Sequence, residues 1–155
     1  MLSKRYAAAA ARYATAATRY ATVAAIGTAL VWAAAPQEKF HTRLAPVALD
    51  ATMRANVAGT GSATATLTGN KLTVNGTFEG LRTPATTANL HLSRVAGVRG
   101  PAVLELTVTH AATGSVSGTF DLSPEQVEAL KKGRFYVQIE SEKAPDGNLW
   151  GWLMR

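Results

Sequence analysis

Residues 89–106 read NLHLSRVAGVRGPAVLEL, which is two β-like runs joined by a loop of glycine, proline and small residues. In the second run, apolar Leu104 and Leu106 alternate with polar Glu105, the period-two pattern of a strand with one buried face. The loop ends in a Gly-Pro dipeptide, which is typical of a turn between strands. This stretch therefore predicts a strand, a glycine-rich loop and a second strand.

The same pattern continues along the chain from residue 38, where short runs rich in Thr, Val and Leu are separated by glycines. Gly69 and Asn70 lie between two such runs and have the chemistry of a two-residue hairpin turn. The predicted fold is all-β: an antiparallel β-sandwich or flattened barrel of about eight strands with one short helix, preceded by an N-terminal Ala-rich helix. The candidate strands are 38–44, 60–68, 71–78, 87–94, 102–110, 115–122, 134–140 and 148–154.

The short helix is predicted between the candidate strands 115–122 and 134–140. Ser123 is a suitable N-cap, and Gln126, three residues later, completes a capping box. Gly133 follows two lysines and is a typical residue just beyond a helix end. Val127 and Leu130 would then lie on one face of the helix and pack against the sheet.

Residues 1–35 differ in composition from the rest of the chain, because they are rich in alanine and contain no acidic residue. Arg5, Arg12 and Arg19 recur every seven residues, which places them in one slowly drifting stripe of an α-helix. The uncharged run 20–35 follows and ends in three alanines. Basic residues, an apolar run and then small residues form the order of a secretory signal peptide.

An uncleaved membrane anchor is the second interpretation of residues 1–35, because Pro36 follows the alanines and hinders cleavage there. As a helix the uncharged run spans roughly 24 Å, less than the roughly 30 Å hydrocarbon core. Tyr20 and Trp32 at the two interfaces and Arg19 reaching outward would complete a short span. Either form places the following domain outside the cytoplasm, in the periplasm or secreted. Import into mitochondria is the third interpretation of such an arginine-rich, acid-free segment.

The charge of the chain is concentrated at its start. The formal net charge is +6, but four of the 16 basic residues precede residue 36. The domain predicted at 36–155 has 12 basic and 10 acidic residues, so it lacks the concentrated basic face that binds phosphate backbones. We therefore expect no nucleic acid as a partner. The absence of cysteine excludes disulfides, thiolate metal sites and a cysteine nucleophile.

Several motifs make residues 40–153 resemble the chordin-type domain family, called CHRD, which is found mostly in exported bacterial proteins. The longest is GSATATLTGNKLTVNGTFEGL at 61–81. The small-residue loop at 96–101 and the run GRFYV at 133–137 also fit the family pattern. The resemblance implies a β domain in an extracytoplasmic protein.

The family pattern has a His-x-His strand and a later strand that ends in histidine, a trio able to form an imidazole site for copper or zinc. The matching positions here are Asn89, His91 and Glu140, so one imidazole remains. We expect no metal cofactor and a polar pair between His91 and Glu140. A weak copper or zinc site at these three residues, helped by His41 or His110, is the alternative.

We expect no enzymatic activity, because no serine, histidine and acid lie in a recognised nucleophile motif. Alternation places Trp150 and Trp152 on one sheet face, either covering the core or forming a docking patch. The predicted function is a non-enzymatic extracytoplasmic module, secreted or anchored in the membrane by its N-terminal helix, that binds a protein partner or a larger membrane complex. The alternatives are a metal-binding or redox-defence protein and a glycan-binding surface module that uses the two tryptophans.

Overall fold

The computed structural model of the protein describes residues 36–155. The interpretations of residues 1–35, including the anchor residues Arg19, Tyr20 and Trp32, lie outside the described residues. Within 36–155, eight antiparallel strands close into a barrel in the order β1-β2-β3-β6-β5-β4-β7-β8. The strands are β1 (Gln37–Pro46), β2 (Thr60–Thr68), β3 (Lys71–Glu79), β4 (Ala85–Leu92), β5 (Ala102–Val108), β6 (Gly114–Asp121), β7 (Phe135–Ser141) and β8 (Ala144–Trp152), and the helix α1 (Pro124–Lys131) lies between β6 and β7.

The barrel wall consists of two groups of four strands that meet along two seams. Strands β1, β2, β3 and β6 pair over eight or nine residues at each contact, and β5, β4, β7 and β8 form the second group. At one seam β5 and β6 pair at two positions, from Thr107 and Val108. At the other, β1 and β8 pair at Ala45 and Pro46. The predicted all-β fold is therefore confirmed as a closed barrel.

Because neighbouring strands are antiparallel, the loops that connect them lie at two opposite ends of the barrel. The helix end, where β1 starts and β8 finishes, carries the β2–β3 turn at 69–70, the β4–β5 loop at 93–101 and α1. The far end carries the loops 47–59, 80–84 and 109–113 and the turn at 142–143. The connection from β6 to β7 lies at the helix end and contains α1, which buries Leu130 in the core and contacts Glu38 on β1 through Lys131.

The interior of the barrel is filled by alternate residues of every strand, as the period-two pattern predicts. Phe40, Leu72, Val74, Leu90 and Ile139 belong to one continuous buried cluster. Helix α1 adds Leu130, which is fully buried, and the partly buried Val127 packs against the same cluster. Ser123 and Gln126 form the predicted capping box at its start.

Two local features differ from the sequence-based expectation. Strand β8 begins at Ala144, not at 148, and the hairpin turn lies at 142–143. Between the pairs Ser141–Ala144 and Ile139–Leu149, β8 contains three more residues than β7 and therefore bulges. Proline has no N–H for the ladder, so the Pro-Asp-Gly run fits a bulge as well as a turn. A 3-10 helix, η1 (Met53–Ala55), also lies in the β1–β2 loop, where no element was predicted.

Candidate functional site

The outer surface of β4, β7 and β8 carries a polar and aromatic cluster, here called the aromatic face: His91, Tyr136, Gln138, Trp150 and Trp152. Register aligns His91 with Tyr136 and Tyr136 with Trp152, while Gln138 lies opposite Trp150. Their strand neighbours point into the barrel core. The alternation that fills the interior therefore also brings these five side chains together on the outside.

The rings of the aromatic face pack around Tyr136, which is fully buried. Its ring centroid lies 4.8 Å from that of His91 and 5.7 Å from that of Trp150, with interplanar angles of 20° and 10°. The Trp152 ring lies 4.6 Å away and is tilted by 44°. Stacked and tilted pairs at these separations are favourable arrangements of aromatic rings. The cluster is thus a packed unit on the outer wall.

The β4–β5 loop at 93–101 covers part of the aromatic face. The Tyr136 hydroxyl donates to Gly100 O at 3.0 Å and accepts from Gly100 N at 3.2 Å. Next to it, the Arg99 guanidinium lies 4.5 Å from the centroid of the Trp150 ring, a cation–π distance. Arg99 also donates to Asp146 O at 3.2 Å and so joins the loop to the β8 bulge.

The β8 bulge covers Trp150 from the other side. Gly147 has a φ of +121°, and a side chain there would begin 2.3 Å from Trp150 Nε1. Glycine is therefore required both by the backbone conformation and by the close approach of the indole. Trp150 is 8 % exposed as a result, whereas Trp152 stays half-buried at the edge of the cluster.

Three buried polar atoms of the aromatic face have no hydrogen-bond partner: His91 Nε2, Gln138 Oε1 and Trp150 Nε1. His91 Nδ1 lies 2.9 Å from Gly100 O, and a carbonyl can only accept, so Nδ1 carries a hydrogen. In the neutral ring, Nε2 then presents a lone pair. Buried polar atoms without partners are uncommon in folded proteins. The face thus contains two buried acceptors and one buried donor that form no hydrogen bond with the described residues.

The residues named as the alternative metal site, His91, Glu140 and Asn89, have separate partners. His91 bonds to the covering loop, whereas Glu140 accepts hydrogen bonds from Thr87 and, at 3.2 Å, from Gln138 Nε2. The expected pair between His91 and Glu140 is therefore wrong for this structure, because other donors occupy the Glu140 carboxylate. Asn89 is half-buried, on β4 beside Gln138.

The other two histidines lie elsewhere on the barrel. His41 is exposed in the middle of β1 and pairs with Thr64. His110 lies in the far-end loop after β5, where its ring nitrogen is 3.2 Å from Ala85 O. Within residues 36–155, no three His, Cys, Asp or Glu side chains are grouped so that they could hold a metal ion.

Sequence reasoning singled out the two tryptophans and His91 but missed Tyr136, Gln138 and Arg99. The signal for the first two was present, because alternation from Phe135 places residues 136 and 138 on the outer face. Arg99 had no such signal. Its contact with Trp150 depends on how the loop at 93–101 folds over the strands.

These features define a class of domain: an antiparallel β-barrel with a short helix across one end and a covered aromatic cluster on its outer wall. Residues 45–153 match the model of the CHRD domain family, and because this covers more than half of the chain, the protein belongs to that family. Neither curated proteins nor solved structures gave a match to this chain. In residues 36–155, no helix combines the length and apolar character needed to cross a bilayer.

Proposed function

We propose that this protein is a non-enzymatic extracytoplasmic module that docks a protein partner on its aromatic face. Residues 1–35 would secrete it or anchor it in a membrane, in line with their basic and then apolar sequence. The proposal includes no metal cofactor, since His91 and Glu140 are engaged with different groups. It extends what CHRD membership supports, which is a binding or structural module.

The observation that carries the proposal is the position of Trp152. Its ring is half-buried and packs on the fully buried Tyr136, so little side-chain freedom remains to be lost on binding. Tryptophan and tyrosine are enriched among the residues that dominate protein–protein binding energy. His91 Nε2 and Trp150 Nε1 lie in the same cluster but are buried, so the exposed part of Trp152 is the part of the face that a partner would contact.

The test is photo-crosslinking in the native host. A photoreactive phenylalanine analogue replaces Trp152 in one variant and Thr64 in the matched control, since Thr64 is exposed on the outer face of β2 in the other group of strands. We expect a discrete crosslinked protein from position 152 and not from position 64. For that purified protein, Trp152→Ala should weaken binding about 30-fold, the equivalent of a hot-spot loss of about 2 kcal/mol.

Two outcomes would contradict the proposal. Equal crosslinking at the two positions would show that the aromatic face is not the docking surface. Glycan binding that depends on Trp150 and Trp152, with no crosslinked protein, would favour the glycan-binding alternative instead.

A further inference from the structure

The tip of the β4–β5 loop, residues 95–98, is a turn of defined shape that takes no part in the aromatic face. Val98 N donates to Val95 O at 3.2 Å and closes the turn. Gly97 has a φ of +83°, as the third residue of a type II turn requires. Val95 N also donates to the Ser93 hydroxyl at 3.0 Å, which fixes the entry to the turn.

The turn presents two apolar side chains to solvent. Val95 is 62 % exposed and Val98 is 57 % exposed, which makes them the most exposed large hydrophobic residues in the described part of the chain. Single exposed apolar residues are ordinary on protein surfaces. Val95 and Val98, however, are the first and last residues of one hydrogen-bonded turn, so the backbone holds the two side chains together as a small apolar patch.

The charged residues of the β4–β5 loop itself are all basic. Residues 90–104 contain Arg94 and Arg99, on either side of the turn, and no acidic residue. Arg94 is anchored by its backbone, since Arg134 Nη1 donates to Arg94 O at 3.3 Å. Apolar side chains between arginines match the interface of an anionic bilayer, where acyl chains lie directly below negatively charged headgroups.

The position of the loop in the barrel favours a lipid surface as the occupant. The loop leaves the barrel at the helix end, and β1 starts at the same end, where Gln37 pairs with Thr68 beside the turn at 69–70. The 35 residues before Pro36 are therefore joined to this end, and they carry four basic residues and the uncharged run 20–35. An anchor of that composition would bring the helix end towards the membrane.

We infer that residues 95–98 insert into the interface of an anionic bilayer, with Arg94 beside the headgroup phosphates. This rests on the membrane-anchored form of the proposed function and adds a second contact that sets the orientation. The helix end then faces the bilayer. The half-buried Trp152, on the side wall of the barrel, is the part of the aromatic face that a partner in the aqueous phase would contact.

The test uses the full chain, which has no cysteine, so one introduced cysteine can carry an environment-sensitive fluorophore. Val95→Cys and Val98→Cys place it in the tip. The matched control is Val47→Cys, because Val47 is a valine that is 41 % exposed in the far-end loop after β1. The proteins are reconstituted with phosphatidylcholine and phosphatidylglycerol vesicles, with and without nitroxide-labelled lipid.

We expect a blue shift and at least a threefold loss of fluorescence with nitroxide lipid at positions 95 and 98, and no such loss at 47. Co-sedimentation of the same samples reports the anchor independently. If the chain sediments with vesicles but the labels at 95 and 98 are not quenched, the inference is overturned and the anchored form of the proposed function stands. If the chain does not sediment with vesicles, the inference and the anchored form of the proposed function are both overturned. Equal quenching at all three positions would indicate adsorption without orientation and would also overturn the inference.

Discussion

At the scale of single residues, the Tyr136 hydroxyl is the link between the barrel wall and the loop that covers it. It both donates to and accepts from the backbone of Gly100, while the His91 ring bonds to the same carbonyl. A phenol can make both bonds because its oxygen is a donor and an acceptor at once. The Tyr136 oxygen therefore contributes two of the hydrogen bonds that hold the loop over the aromatic face.

Tyr136→Phe should lower the free energy of unfolding by about 1–2 kcal/mol, because two hydrogen bonds are lost and the Gly100 N–H loses its acceptor. Urea unfolding measures the loss, and amide hydrogen exchange at Gly100 should become faster. Thr42→Val is the matched control, since it removes one hydroxyl that bonds only to the adjacent Arg43 carbonyl. We expect it to change stability by less than about 0.5 kcal/mol. Equal losses in the two variants would contradict this role for Tyr136.

Residue types allowed part of this site to be predicted. Alternation placed Trp150 and Trp152 on one face, as the register of β8 shows, whereas the expectation that Asn89, His91 and Glu140 hold no metal stays a prediction. The partners of His91 were not predictable, because Gly100 is nine residues away along the chain and reaches the ring only through the loop fold. Contacts set by irregular backbone leave no periodic trace in a sequence.

At the scale of elements, the sequence predicted strand existence better than strand limits. Strand β2 matches its predicted range of 60–68, because a Gly-Thr-Gly run and a Gly-Asn turn delimit it. Strand β8 starts four residues early, because Pro145 and Gly147 serve a bulge rather than the hairpin turn. The same residue types suit both structures, and the choice depends on Trp150, whose indole needs the space beside Gly147.

The prediction for a single element concerns the N-terminal cap of helix α1. Ser123 accepts from Gln126 N at 3.3 Å, and its hydroxyl donates to Glu125 at 2.7 Å, which lowers the pKa of that carboxyl. Ser123→Ala should cost about 1 kcal/mol of stability through loss of the cap and should raise the pKa of Glu125 towards its usual value. Thermal unfolding and NMR titration measure the two effects. Ser117→Ala, exposed on β6, is the control and should be neutral; an equal loss there would argue against the cap.

At the scale of the whole molecule, the choice between sandwich and barrel was beyond the sequence. Each group of four strands has the alternation of a sandwich sheet, and closure depends on the short seams. The seam pairs involve Thr107, Val108, Ala45 and Pro46. Residues of these types do not distinguish the edge of a sandwich sheet from the seam of a barrel. The prediction of an antiparallel β-sandwich or flattened barrel of about eight strands was therefore correct, and the structure shows the barrel.

The prediction for the whole molecule concerns Glu38, which joins β1 to α1 and to Arg155. Lys131 Nζ lies 3.2 Å from its carboxylate, and Arg155 also contacts it. Partial desolvation acts to raise the pKa of Glu38, but these two cations together lower it below its usual value of 4.5. The unfolded chain then binds the proton more readily, so this stabilisation is present above pH 4.5 and is lost as pH falls through the lower folded pKa.

Unfolding midpoints should therefore be steady near neutral pH and decline below about pH 4.5. The Glu38→Gln variant should show a shallower decline than the parent protein, as measured by thermal unfolding across a pH series. Glu79→Gln is the control, because Glu79 is exposed on β3 and forms no ion pair within residues 36–155. A decline that is unchanged by Glu38→Gln would assign the acid response to other carboxyl groups.

The β5–β6 seam also determines how this barrel can open. Two residue pairs hold that side of the wall, whereas the neighbouring β3–β6 contact has eight. Separation there breaks few backbone hydrogen bonds, as it would at the β1–β8 seam with its two pairs, so local opening is less costly at a seam than within either group of strands. Opening at the β5–β6 seam would separate the two groups of four strands while they stay paired at β1 and β8. Solvent could then reach the apolar interior from the side without unfolding of either group.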